Sequence, residues 1–474
     1  MDAFPARPDS LDLDTARGAF LRLQPFTPAL LWSPSALSAR ASVFLSHWPG
    51  VVTYAVKANP MEEVVEAIRD AGVGAWDVAS PFEIAMLGRL DPDGVRHYHN
   101  PVRTEAEIRA AVSQGVRSFS VDSHSELDKL FRLLPQGCEI SVRYRLPVDG
   151  SAYHFGAKFG ADVDDAAALL ARVAASGHTA SLTFHPGTQC HDVTPWLQYL
   201  RAGFGIAAAA KVRPARINVG GGFPSHRSGE AHALEDWCAA IGAAHADLWH
   251  PSRTADLPAG EPPVLVCEPG RAMVGDAFVL AVGVKAVRDN KAVFLDDGFY
   301  GALAEAPSVG MPHRFLVMDR QGRVRTGAPL ERPVFGPTCD SIDRLPTWAL
   351  PSDTQEGDVI LIASMGAYTT VTNTRFNGFG ELSVVDIDAG ALGRLDSPVE
   401  SGLTGVAGTP LPTPLERARA LVGHRYTAGM EALIGSLDGV RVAGMDSAVT
   451  MDFRPERITL YLDLKGEIVQ AEAG

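Results

Sequence analysis

A lysine, a glycine triplet and a glutamate, each at the end of an apolar run, are the residues of this chain best suited to chemistry. Lys57 ends VVTYAVK (51–57), Gly220, Gly221 and Gly222 follow RINV (216–219), and Glu268 lies in PVLVCEP (263–269), just before Gly270 and Arg271. Asp77 lies in GAWDVA (74–79), Asn100 ends VRHYHN (95–100), Arg143 lies in EISVRYR (139–145) and His185 ends SLTFH (181–185). Singly, each has an ordinary reading: a solvated strand end, a turn, a surface charge pair, a satisfied core histidine. Together they match the needs of a phosphorylated aldehyde. Successive glycines let backbone N–H groups approach a phosphate, and Arg271 adds charge-assisted hydrogen bonds. A desolvated, neutral Lys57 condenses with an aldehyde. A carboxylate at Glu268 keeps a pyridine nitrogen protonated, so that the ring draws electrons from a carbanion at a substrate's α-carbon.

These groups meet only if the runs that carry them end on one face. Between Gly50 and Arg271, β-rich runs alternate with helical patterns such as MEEVVEAIRDAG, TEAEIRAAVSQG and HSELDKLFRLL. Adding SFSVD (118–122), the runs number eight, which predicts a (β/α)8 barrel whose strand C-termini share one face. Thr104 and Glu107 have capping-box spacing at one helix start. An open doubly wound sheet usually has fewer strands and a Gly-rich first loop, and no such loop follows VVTYAVK. After Arg271, runs such as FVLAVGVKAV, HRFLVMD and DVILIAS, with few helical patterns, predict an all-β domain. The stretch 396–414 is rich in Pro, Gly, Ser and Thr and reads as a linker, and the last 60 residues read as a separate small unit.

The chain has 474 residues, 46% hydrophobic and 21% charged, enough for two or three domains with cores of their own. Its net charge of -14 repels phosphate backbones and anionic headgroups, which argues against nucleic acid and membrane surfaces as partners. The five cysteines are dispersed and contain no C-x-x-C pair, so neither a disulfide framework nor a zinc site follows, and no metal is expected. The N-terminal MDAFPARPDSLDLD is unlike a signal peptide and no apolar run approaches membrane-spanning length, so the expected location is cytoplasmic.

Six ordered motifs extend this reading: YAVKANP (54–60), FHPGTQ (184–189), NVGGGFP (218–224), CEPGRAMV (267–274), GPTCDSID (336–343) and GAYTTVTNTRFNGF (366–379). On them, residues 25–390 resemble the ornithine/diaminopimelate/arginine decarboxylases, the barrel-type pyridoxal-phosphate enzymes related to alanine racemase. The resemblance implies pyridoxal 5'-phosphate as cofactor, with Lys57 bonded to its aldehyde, His185 stacked on its ring and Glu268 on the ring nitrogen. It places Gly220, Gly221, Gly222, Gly270, Arg271 and Tyr368 around the phosphate, keeps a cofactor contact at Thr188, and makes Asp77 and Arg143 supporting groups. Cys339 would protonate the α-carbon after CO2 leaves, Asp340 would bind a distal amino group, and Phe376 would line the substrate. In the family this Cys-Asp pair reaches the partner's active site, so a head-to-tail homodimer with shared sites is implied. The domains expected are an N-terminal segment (1–36) joining the β-domain, the barrel (37–275), the β-domain (276–395), the linker (396–414) and a small α+β appendage (415–474).

Asp rather than Glu after Cys339 is the pattern of ornithine and lysine decarboxylases, enzymes of polyamine biosynthesis, and favours a small amino acid with a cationic end. APSVGMP (306–312), however, has no acid where ornithine decarboxylases place a second one, and Pro186 and Thr188 replace the usual Val and Ser. Decarboxylation of a larger amino-acid conjugate, as in siderophore-like biosynthesis, is therefore an alternative. Racemisation is disfavoured by Glu268 and GPTCDSID, and a non-catalytic regulator by the presence of Lys57, Glu268 and Cys339 together. The tail, with VTMDFRPER (449–457), is similar to small elastase-inhibitor-type peptidase inhibitors. Lacking cysteines, it reads as an appended packing module with a vestigial inhibitor surface at Met451 to Arg454 rather than as a protease-binding one.

Overall fold

The computed structural model describes residues 9–147, 158–288 and 291–394, and in the tail 414–419, 422, 440–444, 458–463 and 468–473. After helix Leu13–Leu23 comes strand β1 (Ala29–Trp32), then helix Pro34–His47 and the barrel strands. These are β2 (Gly50–Val52), β3 (Tyr54–Ala55), β4 (Ala75–Val78), β5 (Val95–Tyr98), β6 (Ser118–Val121), β7 (Glu139–Arg143), β8 (Thr179–Thr183), β9 (Arg216–Asn218) and β10 (Val264–Cys267). All eight expected strands are present, and the first is broken at Thr53. Its lower half β2 pairs with β10 and its upper half β3 with β4, all in parallel, so one run of chain both opens the sheet and closes it. Thr53 holds the break to β10, its N–H and Oγ1 both donating to the carbonyl of Cys267 at 2.9 and 2.8 Å.

Strands covered by helices on one side and packed into an interior on the other have no wet face, and every residue of β4 and β6 is buried. Three successive barrel helices start from the same device. Ser80, Thr104 and Ser123 accept at their side chains from the N–H of Glu83, Glu107 and Glu126, and Glu107 completes the expected capping box. Below the active face, Phe184 stacks on Tyr199 at 4.6 Å and Trp196 packs on Phe223 at 4.8 Å, which anchors the segments that carry His185 and the glycine triplet.

The second sheet is built on β11 (Phe278–Arg288), which pairs with β1, with β12 (Ala292–Leu295) and with β16 (Val359–Ala363). Residues β13 (Phe315–Met318), β14 (Pro329–Phe335), β15 (Arg344–Pro351), β17 (Ser383–Asp386) and β18 (Ala391–Arg394) complete it, with β1 seated between β11 and β17. The tail is a compact unit of its own. In it, helix Pro414–Arg419 contacts β20 (Ile458–Leu462) and β21 (Ile468–Ala473), and β20 pairs in parallel with β19 (Val440–Gly444) and antiparallel with β21. The expected linker lies outside the described residues except for Pro414, which begins this helix rather than ending a linker. Met451 to Arg454 also lie outside the described residues.

Where the barrel joins the second sheet, Arg40 bonds Asp9 at 2.8 Å and Asp276 at 2.5 Å, and the Arg40 and Asp276 side chains are almost wholly buried. Burial alone would raise the Asp276 carboxyl; Arg40 reverses this and holds it ionised. Arg40→Ala removes the shortest ion pair of that buried charge, leaving it Arg314 at 3.8 Å and the N–H of His226, and is expected to lower unfolding stability by about 3 kcal/mol in urea denaturation. A loss below about 1 kcal/mol would show that the junction does not depend on this triad.

Candidate active site

The C-terminal ends of the barrel strands surround a cavity of about 270 Å³. Lys57, Asp77, Arg143, His185, Thr188, Gly221, Gly222, Glu268, Gly270, Arg271 and Tyr368 all line it, so one face gathers most of the residues singled out from the sequence.

Lys57 does not end a strand but sits in a 3-10 turn, Val56–Ala58, above β3. Its Nζ donates to Asp77 Oδ2 at 2.9 Å, and 42% of the side chain stays accessible because it projects into the cavity. The neutral form that condensation requires is not the resting one. Burial favours the uncharged form, but the fields of Asp77, Tyr368 and Glu268 outweigh it and raise the pKa, leaving an ammonium.

Glu268 is buried and ionised. Its Oε1 accepts from His99 Nδ1 at 2.7 Å and from Asn218 Nδ2 at 2.5 Å, and these bonds with the charge of His99 overcome the burial that would otherwise protonate it. His99 is correspondingly raised: desolvation opposes its charge, and Glu268 and Asp77 restore it. Asp77, His99 and Glu268 bring ligand atoms within 4.8 Å of one another, a spacing that suits a metal ion, yet Asp77 is already bonded to Lys57 and Glu268 to His99. His185 is the opposite case. Burial, Arg143 and Lys57 push it down to about 3, so it is a neutral, apolar-faced ring, with Nδ1 accepting from the Gly187 N–H at 3.2 Å. Arg143 lies 5.1 Å over the Phe159 ring.

Opposite the lysine, Gly220 (φ 67°) and Gly222 (φ 92°) are left-handed, and a Cβ there would fall 2.4 Å from the Phe184 carbonyl oxygen and 2.9 Å from that of Gly187. Only glycine lets the chain pass here. The N–H groups of Gly221 and Gly222 make no hydrogen bond with the described residues. Beside them Arg271, which opens the short helix Arg271–Val274, donates through Nη2 to both oxygens of Glu305 at 2.7 and 2.9 Å. Its Nε and Nη1 are buried without a hydrogen-bond partner among the described residues, and its guanidinium carbon lies 5.1 Å over the Tyr368 ring. Tyr368 is itself left-handed at φ 65°, held by its N–H to the Ala58 carbonyl at 2.7 Å.

Cys339, Asp340 and Phe376 are not in this cavity. They sit on the second sheet's loops, where Cys339 is exposed and its N–H and Sγ meet Asn377 Oδ1 at 3.1 and 3.2 Å. Asp340 Oδ2 accepts from the Tyr300 hydroxyl at 2.7 Å, and the Tyr300 and Phe376 rings are 4.5 Å apart. The structure also adds groups that the sequence reading passed over: His99, Asn218, Glu305, Tyr300 and Asn377. The one legible signal was the i, i+2 spacing of His97 on β5 and His99 just past its end, which brings two titratable rings to the same interior.

The family model for the pyridoxal binding domain of pyridoxal-dependent decarboxylases matches residues 36–275. The lysine/ornithine decarboxylase of Selenomonas ruminantium is 31% identical over 366 residues, spanning 74% of this chain and 88% of the relative. The structure of the lysine decarboxylase of that organism with PLP and cadaverine aligns at a TM-score of 0.67 and 26% identity, over 82% of this chain and 96% of that one. The arginine decarboxylase of Paramecium bursaria Chlorella virus bound to agmatine aligns at 0.68 and 26%, over 78% and 99%.

The cavity suits that cofactor on its own terms. Two orphaned guanidinium nitrogens and two uncommitted amides await an anion, an ionised carboxylate faces them across the barrel, and a lysine amine stands between. The chain belongs to the pyridoxal-dependent decarboxylases, built on a (β/α)8 barrel with a second, mixed sheet, and its cofactor is pyridoxal 5'-phosphate.

Proposed function

We propose that the chain decarboxylates a diamino acid, ornithine or lysine, to the diamine and CO2, in a homodimer whose active sites are each shared by two subunits. The observation that carries this is the separation of the two halves of the chemistry. Lys57, Glu268 and Arg271 line the barrel cavity, while Cys339 stands exposed and Asp340 half-buried on the second sheet's loops, outside it. A second copy facing the first is the arrangement that joins them. The names of the relatives, lysine/ornithine decarboxylase and arginine decarboxylase, support a substrate with a distal cation.

When bound, the cofactor supplies an electron sink for the pair of electrons left at the substrate's α-carbon. Lys57 tethers the aldehyde end, and Arg271 with the amides of Gly221 and Gly222 holds the phosphate, joined by Gly220, Gly270, Thr188 and Tyr368 around it. Neutral His185 offers a ring face without adding charge, and Glu268 keeps the pyridine nitrogen protonated. Asp77 sets the charge of Lys57, and Arg143 supports the same wall. From the partner subunit, Cys339 delivers a proton to the α-carbon, and Asp340, aimed by Tyr300 and flanked by Phe376, draws in the distal ammonium. A thiol in that role, with four further free cysteines, supports a reducing, cytoplasmic setting. Among the described residues no helix is long and apolar enough to cross a membrane.

A second reading, a larger conjugate as substrate, is favoured by one detail. Val309 ends the short helix Ala306–Val309 where a second acid was sought, and the nearby carboxylate of Glu305 is bonded to Arg271 instead. Asp340 would then be the one substrate carboxylate, leaving the site less selective for a distal ammonium.

Purified protein with pyridoxal phosphate should release CO2 and diamine from ornithine or lysine, and Lys57→Ala should abolish both the turnover and the cofactor's visible absorbance. No turnover of ornithine, lysine, arginine or meso-diaminopimelate by a cofactor-loaded protein would move the assignment to the larger substrates. Inactive Lys57→Ala and Cys339→Ala chains, mixed after dissociation, should recover about a quarter of wild-type activity, since about half of the dimers are mixed and each of these has one intact site. Recovery of none would remove the shared-site dimer. Asp77→Asn takes away the principal field that raises Lys57, so its pKa falls, the reactive neutral amine persists to lower pH, and the pH midpoint of cofactor capture moves down. An unmoved midpoint would show that Asp77 does not govern Lys57.

A further inference from the structure

Every side-chain hydrogen bond that Glu268 makes with the described residues falls on one oxygen. Oε1 takes both His99 Nδ1 at 2.7 Å and Asn218 Nδ2 at 2.5 Å. Oε2 takes none, yet it is not among the buried atoms lacking partners, and Glu268 lines the cavity. The carboxylate is therefore asymmetric: one oxygen is clamped by His99 and Asn218, and the other is left for a ligand of the cavity that both Glu268 and His99 line.

The clamp has a support of its own. His99 Nε2 is 3.3 Å from Ser118 Oγ, and Ser118 Oγ is 3.3 Å from His97 Nδ1. A carboxylate can only accept, so His99 Nδ1 carries a proton. With His99 charged, Nε2–H donates to Ser118, whose own proton is free for His97 Nδ1 or for Glu139 behind it. The groups facing His99 bear this out from every side: Glu268 just after β10, Asp77 on β4 and Glu139 on β7 favour its charge, whereas His97 is kept neutral by burial and by His99 itself. Asn218 on β9 contributes a neutral donor, 3.2 Å from His99 Nδ1.

We propose that His99 is a positioning residue for the cofactor: by clamping Oε1 of Glu268 from inside the barrel, it reserves Oε2 for the ring nitrogen of pyridoxal phosphate. This rests on the reading of the cavity as the cofactor site, but it makes a claim that cofactor occupancy alone does not. His99 acts on the ring nitrogen and on no other part of the cofactor.

Binding of two ligands to the apoprotein separates these claims. Pyridoxal phosphate has the ring nitrogen, and its 1-deaza analogue has carbon in that place while keeping the aldehyde and phosphate. His99→Leu should weaken pyridoxal phosphate roughly ten- to a hundredfold, the loss of a hydrogen bond to a charged group, and change the affinity of the analogue less than about twofold. His99→Asn, which keeps a neutral donor near the place of Nδ1, should recover most of the loss. Equal weakening of both ligands would reduce His99 to a structural residue, and no weakening of either would remove its role. Failure of the wild-type protein to bind either ligand would instead overturn the cofactor site itself. Should His99→Leu fail to fold, wild-type protein still decides: the 15N signals of the His99 ring should place a proton on Nδ1, facing Glu268, and a His99 protonated on Nε2 alone would overturn the clamp.

Discussion

An ionised carboxylate in the middle of a barrel is the constraint around which this molecule is arranged. Left alone in a dry interior, Glu268 would take up a proton and lose its use. It stays charged because the strands around it do not carry the branched aliphatic side chains that usually fill such barrels. His97, Ser118, Ser141 and Ser181 occupy buried interior positions, and Glu139, half-buried at the start of β7, is bonded to Ser181 at 2.7 Å and paired with Arg216 at 3.4 Å. Aliphatic packing has been exchanged for a polar interior in which each charge has a partner. This links sequence choice on five strands to the electronic demand of one ring nitrogen.

The same logic governs the cavity wall. Lys57 is paired with Asp77, Glu268 with His99, and Arg271 with Glu305, so the acids and bases that meet there arrive in pairs. Pairing satisfies burial without exhausting the donors. Arg271 keeps Nε and Nη1 uncommitted, and the amides of Gly221 and Gly222 stay open beside them. An anion that binds here completes interactions that the fold has prepared, rather than breaking ones already made.

The second sheet takes a different part. All of β1 and the first seven residues of β11 are buried and give it a rigid centre, while its loops hold Cys339 and Asp340 at the surface. Each is aimed by a neighbour, Cys339 by Asn377 and Asp340 by Tyr300. Ordering two small reactive groups on a rigid support suits a site completed by another surface, since less freedom remains to be lost on assembly.

The sequence by itself determined the eight strands and the residues at their ends, because barrel strands are short apolar runs bounded by turns and their C-termini point one way. It also determined the glycine triplet, since the positive φ angles of Gly220 and Gly222 are ones that glycine adopts without strain. The roles of Cys339 and Asp340 came from a resemblance in GPTCDSID, since no periodicity distinguishes an exposed thiol that reacts from one that does not. Tertiary structure alone decided the charges. Glu268 meets His99 across 169 residues of chain, and Arg271 meets Glu305 across 34, through barrel closure and a loop of the second sheet. Burial by itself would favour a neutral Lys57, and it is kept an ammonium because β3 and β4 pair and bring Asp77 to 2.9 Å. A proton's affinity is set by the field of everything near it, and what is near is known only once the barrel has closed.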